Sequence, residues 1–80
     1  MADWDIVNGG LHKEWAYETF AEAWAAAEKI AKLAEMHNHH PDITVGWGKL
    51  VLGGLCTHDA GNVITEKDHA FAEAVDKLGL

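Results

Sequence analysis

The sequence predicts an α+β two-layer sandwich, four antiparallel strands with both helices on one face, in the order β-β-α-β-β-α. Three observations predict it: two helix-start signals, two glycine-rich turn signals, and a switch between alternating and three-to-four-residue apolar spacing. At 80 residues the chain is expected to form one domain over 1–80.

The elements follow in order. Trp4-Asp5-Ile6-Val7 is a short strand candidate, and Asn8-Gly9-Gly10 a turn, because Asn and Gly tolerate positive φ. Leu11 to Tyr17 alternates, with Leu11, Lys13, Trp15 and Tyr17 on one face, which completes a hairpin. Thr19-Phe20-Ala21-Glu22 has the form of a capping box and opens a run rich in Ala, Glu and Lys. There Phe20, Trp24, Ala27, Ala31 and Ala34, flanked by Ala23 and Ile30, form the predicted buried stripe. Pro41 disfavours helical geometry at His40, so the helix is expected to stop by Asn38. His39 and His40 then lie in its exit turn.

A second hairpin is expected from Ile43–Trp47 and Lys49–Thr57 around Gly46-Trp47-Gly48. Leu50 and Leu52 share a face, but strict alternation would turn Leu55 away from it. A bulge at Gly53-Gly54 restores it. Thr65-Glu66-Lys67-Asp68 caps the last helix, whose stripe is Phe71, Ala74, Val75 and Leu78.

Composition excludes some functions. A net charge of -7, with no arginine, argues against a nucleic-acid surface, which needs clustered cations. No apolar run approaches membrane-spanning length. The single cysteine, Cys56, reads as a small hydrophobe, and without a leader sequence it suits a reducing cytoplasm. Four tryptophans are many for so small an interior, so a homo-oligomer, dimer or tetramer, is expected.

The stretch Glu35-Met36-His37-Asn38-His39-His40-Pro41-Asp42-Ile43 holds three of the six histidines, and His58 follows in Thr57-His58-Asp59-Ala60-Gly61. From the residues alone three readings stand. His37, His39, His40, His58 and Asp59 are enough ligands for zinc, although the spacing matches no zinc signature. Imidazoles around one pocket can exchange protons near neutrality. Solvated turn histidines are the third.

Taken together, Glu35-x-x-x-His39-His40-Pro41-Asp42-Ile43, aromatic Trp47, Thr57-His58-Asp59 and Thr65-Glu66-Lys67-Asp68 resemble the pterin-4a-carbinolamine dehydratase family in order and spacing. Trp4, Trp15, Tyr17 and Phe20 match its aromatic positions, so the resemblance covers nearly the whole chain. It implies dehydration of a 4a-hydroxytetrahydropterin to quinonoid dihydropterin, without metal or organic cofactor. It also implies that His39, His40 and His58 are the active-site histidines, with His39 and His58 transferring protons and His40 orienting the pterin. Asp68 would hold an imidazole, though as the third residue of a capped helix an acid also stabilises the terminus unaided. Glu35, Pro41, Trp47 and Thr57 would contact substrate. Trp47 would stack on the pterin or fill core beside its turn, and Thr57 would offer backbone or hydroxyl. His12, His37 and His69 match no motif histidine and are expected at the surface.

Some family members also act as dimerisation partners of a homeodomain transcription factor. The alternative function is therefore a catalytically weak relative serving as a protein–protein dimerisation module. Three departures from the family bear on this. The family usually has a helix before the first strand, and this chain begins almost at the strand, so a fold lacking that helix is expected. The Trp47–His58 segment is one residue longer than usual. Gly61-Asn62-Val63-Ile64 carries another extra residue, between His58 and Asp68.

Overall fold

The first strand, β1 (Asp5–Val7), returns through Asn8-Gly9 into β2 (Gly10–Ala16) in a computed structural model that describes residues 4–80. Both turn residues have positive φ, 51° and 80°, the geometry that joins antiparallel strands through two residues. Helix α1 (Phe20–His37) follows, then β3 (Asp42–Gly46), β4 (Lys49–Leu55), a single 3₁₀ turn over His58–Ala60, and helix α2 (Glu66–Lys77). The four strands form one antiparallel sheet in the order β1-β2-β4-β3, so β3 and β1 are its edges. The fold is the expected α+β sandwich. No helix among the described residues is long and apolar enough to cross a membrane.

Each helix start is set by its threonine. Thr19 accepts the Glu22 N–H at 3.1 Å, and its hydroxyl donates to the Glu22 carboxylate, also at 3.1 Å. Thr65 accepts from the Lys67 N–H while Asp68 accepts the Thr65 N–H at 2.8 Å, a reciprocal cap. α1 ends at His37 because Asn38 takes the left-handed conformation (φ 49°, ψ 46°), which Asn tolerates and which turns the chain out ahead of Pro41.

The core lies between sheet and helices. Leu11, Leu50, Leu52 and Leu55 meet Ala26, Ala27, Ile30 and Ala34 of α1 and Phe71, Ala72 and Val75 of α2. Leu55 joins Leu50 and Leu52 because β4 carries the expected bulge. Between Leu11 and Lys13 the β2–β4 register shifts by one residue, and Gly54 sits at φ +60°. The predicted stripe of α1 requires correction. Phe20 and Trp24 are 46 % and 52 % exposed and stack on each other, and Ala31 is exposed. The buried stripe is Ala23, Ala26, Ala27, Ile30 and Ala34. Alanine surrounds the helix, so spacing alone permits two faces, and the sheet takes the one whose small side chains allow close approach.

A clamp ties the first strand to the last helix. The Trp4 indole N–H donates to Asp76 at 3.1 Å, and the Lys13 ammonium reaches the same carboxylate at 2.8 Å. That ammonium lies 5.5 Å from the Trp4 ring centre and 5.3 Å from that of Trp15, within cation–π range.

Candidate active site

At the end of the sheet where α1 exits, β4 leaves and α2 begins, a cleft of about 250 Å³ opens. Asn38, His39, His40, Cys56, Thr57, His58, Asp59 and Lys67 line it. The structure therefore brings the histidines of the exit turn and the histidine after β4 to one wall system. Neither extra residue prevents this. The glycine bulge absorbs the first, and Asn62, at φ 61°, lies in a loop closed by Thr57 N–H to Val63 C=O at 2.9 Å.

His39 and His40 diverge, as adjacent residues leaving a helix should. The His39 backbone N–H closes on the Ala34 carbonyl at 3.0 Å, and its imidazole Nε2 turns inward to Asp68 Oδ1. The His40 ring turns outward, 57 % exposed, with Nε2 2.5 Å from Glu35 Oε2. His39 also meets the edge of Phe71, ring centres 5.9 Å apart. Phe71 was absent from the expected site, although it stands one helical turn after Asp68, on the same face.

Asp68 is fully buried. Oδ2 accepts the Thr57 hydroxyl and the Thr65 N–H, each at 2.8 Å, and Oδ1 faces His39. Burial alone would raise its pKa. The Thr65 N–H, the His39 and Thr57 hydrogen bonds and the His39 charge outweigh burial and hold the carboxyl below its ordinary value. An ionised carboxylate only accepts, so the His39 Nε2 carries a proton, and Nδ1 is the nitrogen that holds the lone pair whenever the ring is neutral. One side chain thus performs both suggested roles, capping α2 and holding an imidazole.

Thr57 departs from its expected role. Its hydroxyl donates to Asp68 and accepts from the Thr65 hydroxyl at 2.7 Å. Its N–H bonds Val63, and its carbonyl accepts from Ala60 and Asn62. Every polar group of Thr57 already has a partner within the chain, and its hydroxyl braces Asp68. Pro41 and Glu35 line an adjoining apolar cleft with Ala31, Ala34, His40 and Ile43. Trp47 neither fills core nor reaches the histidines of its own chain. It is 81 % exposed, at the far end of β3 from Pro41, about 20 Å away at the rise of a strand. His37 and His69 are exposed as expected, while His12 is half-buried and paired with Glu14 at 3.0 Å. Among the described residues no group of three or more His, Cys, Asp or Glu side chains is arranged to hold a metal ion.

The fold and cleft define a small α+β domain with a buried carboxylate behind one of three clustered imidazoles, a class suited to moving protons. The chain belongs to the pterin 4 alpha carbinolamine dehydratase family, whose model matches residues 1–78. Relatives from Herpetosiphon aurantiacus and Chloroflexus aurantiacus, both named provisionally as pterin-4-alpha-carbinolamine dehydratases, are 39 % and 40 % identical. The alignments cover 94 % and 95 % of this chain and 76 % and 80 % of theirs. A transcriptional coactivator/pterin dehydratase from Brucella melitensis shares the fold, with a TM-score of 0.82 at 23 % identity over 94 % of this chain and 80 % of that one. A pterin dehydratase-like protein described as a RuBisCO assembly factor in the alpha-carboxysome superposes with a TM-score of 0.71 at 28 % identity, covering 94 % and 84 %.

Proposed function

We propose that this protein dehydrates a 4a-hydroxytetrahydropterin to quinonoid dihydropterin by histidine acid–base catalysis, without a cofactor, in a reducing compartment. The observation that carries the proposal is the buried Asp68 fixing His39 in a cleft shared with His40 and His58.

The reaction breaks the C4a–O bond and forms C4a=N5. The hydroxyl takes a proton from an acid and leaves as water, and N5 gives its proton to a base. The redox state does not change. His39, with Nε2–H committed to Asp68, offers Nδ1 as the base. His58, on the 3₁₀ turn across the cleft, is the acid. His40, tethered to Glu35, orients the ring. Each positioned acid or base contributes about 10²–10⁴-fold.

Turnover of carbinolamine generated by a pterin-dependent hydroxylase tests this. His39→Ala and His58→Ala are each expected to lower the rate about a hundredfold or more, and His40→Ala less. Near-normal rates in all three would overturn it. A second reading is a protein-interaction module. It is favoured by exposed Phe20, Trp24 and Trp47 and by the assembly-factor role described for one structural relative. A folded wild-type chain without turnover would favour that reading.

A further inference from the structure

We propose that Phe71 and His37, neither of which lines the cleft, set the plane of the His39 ring and so decide where Nδ1 points. The effect on turnover rests on the pterin reading. The ordering of the ring does not.

One hydrogen bond leaves the base incompletely placed. Asp68 Oδ1 holds His39 at Nε2. That nitrogen lies close to the line of the Cβ–Cγ bond, about which the ring turns. Rotation therefore disturbs the bond to Asp68 little. Nδ1 lies further from that line and swings by roughly an ångström, a displacement that can cost about a hundredfold in rate. The carboxylate thus fixes which nitrogen is bound, but not the direction of the other nitrogen's lone pair. A second contact is needed to stop the rotation.

Phe71 supplies it. Its side chain is fully buried and meets His39 with ring centres 5.9 Å apart and planes at 80°. This is the edge-to-face arrangement that aromatic rings prefer. A perpendicular neighbour at that distance opposes rotation, because the turned imidazole either strikes it or opens a gap in a close-packed wall. Phe71 follows Asp68 by three residues, so one face of α2 presents both the carboxylate and the ring. The hydrogen bond fixes the tip of the imidazole, and the aromatic contact fixes its plane.

His37 meets the same Phe71 ring, with centres 5.6 Å apart and planes at 85°. Residues two apart on a regular helix do not face each other. Here residues 37 and 39 converge on one side chain because Asn38, between them, is left-handed and folds the chain back. The His39 N–H closes that turn on the Ala34 carbonyl at 3.0 Å. His37 is exposed on its other side and covers Phe71 where α1 ends. Its part is that of a flat ring, and it carries no proton for the reaction.

Phe71→Leu tests this, because it removes the flat ring and keeps an apolar side chain. kcat is expected to fall about tenfold with KM changed by less than about twofold, since the contact acts on proton transfer and not on binding. Nitrogen-15 spectra are expected to show neutral His39 still protonated at Nε2, the feature that Asp68→Asn would reverse. Relaxation of the His39 ring carbons is expected to show wider motion on the picosecond–nanosecond scale. His37→Leu, a change at an exposed site, is expected to lower kcat about two- to threefold, the scale of one exposed aromatic contact. His37→Phe, which restores a flat ring without a titrating group, is expected to recover most of that loss. A wild-type kcat in Phe71→Leu, or a His39 ring as ordered there as in the wild type, overturns the proposal. A His37→Phe rate as low as that of His37→Leu overturns the part given to His37. Should Phe71→Leu fail to fold, the His39 ring motion in His37→Leu decides, and motion no wider than in His37→Phe overturns the proposal. No turnover in the wild type would instead count against the pterin reading, with ring order still deciding the positioning.

Discussion

Replacing Asp68 by Asn separates its two roles. The amide keeps the size of the carboxylate, and its oxygen can still accept from Thr57 and Thr65, so the α2 cap survives. Its NH₂ group, however, then faces His39 where an acceptor stood. The imidazole must answer with a lone pair on Nε2, which moves the ring proton to Nδ1 and removes the base. A positioned base contributes about 10²–10⁴-fold, so kcat is expected to fall by that factor with little change in KM. Stability is expected to fall by about 1–3 kcal/mol, the difference between charge-assisted and neutral hydrogen bonds at a buried site. The pH dependence supplies an independent check. In the folded state the Asp68 carboxyl titrates below its ordinary value. Its stabilisation is therefore fully present above the unfolded carboxyl pKa and is lost as pH falls through the folded one. The stability gap between wild type and Asp68→Asn should close in acid. Stopped-flow turnover and denaturant titrations from neutral pH into acid measure both quantities. A variant with wild-type kcat, or a gap that widens in acid, would refute the assignment.

Three further outcomes follow from the same geometry. Thr57→Val should cost about 1–3 kcal/mol, because it removes one of the three donors to buried Asp68 and the acceptor of the Thr65 hydroxyl, and Thr57→Ser should recover most of this by chemical denaturation. Gly54→Ala should lower stability by about 1 kcal/mol or more, since an alanine there adopts φ +60° and its Cβ meets the Asp42 carboxylate. Asp76→Ala frees both the Trp4 indole and the Lys13 ammonium. A loss of about 1–2 kcal/mol is expected, with a change in tryptophan emission.

Local chemistry made most of the fold legible. Thr19 and Thr65 announced both helix starts, Pro41 the end of α1, and the displaced leucine the bulge, because each acts within a few residues of itself. The clustering of His39, His40 and His58 was legible only through the family pattern, since it depends on where three elements end. Other features depend on what lies across the fold. The exposed positions of Phe20 and Trp24 follow from which side of an alanine-rich helix meets the sheet. The engagement of every polar group of Thr57 follows from the return of the loop at Val63 and from the capping geometry of α2. Phe71 was legible as core, but its edge contact with His39 depends on the path of the exit turn.

The paired glycines near the end of β4 let one strand hold an additional residue while the leucines before and after keep the same phase. Backbone count and side-chain direction are thereby uncoupled at that point. A comparison that relies on fixed intervals would mark this stretch as out of step, whereas one that follows which side chains face inward would find no break. The one additional residue is thus taken up before Leu55, and the chain reaches His58 with the leucines on either side of the shift still facing the core.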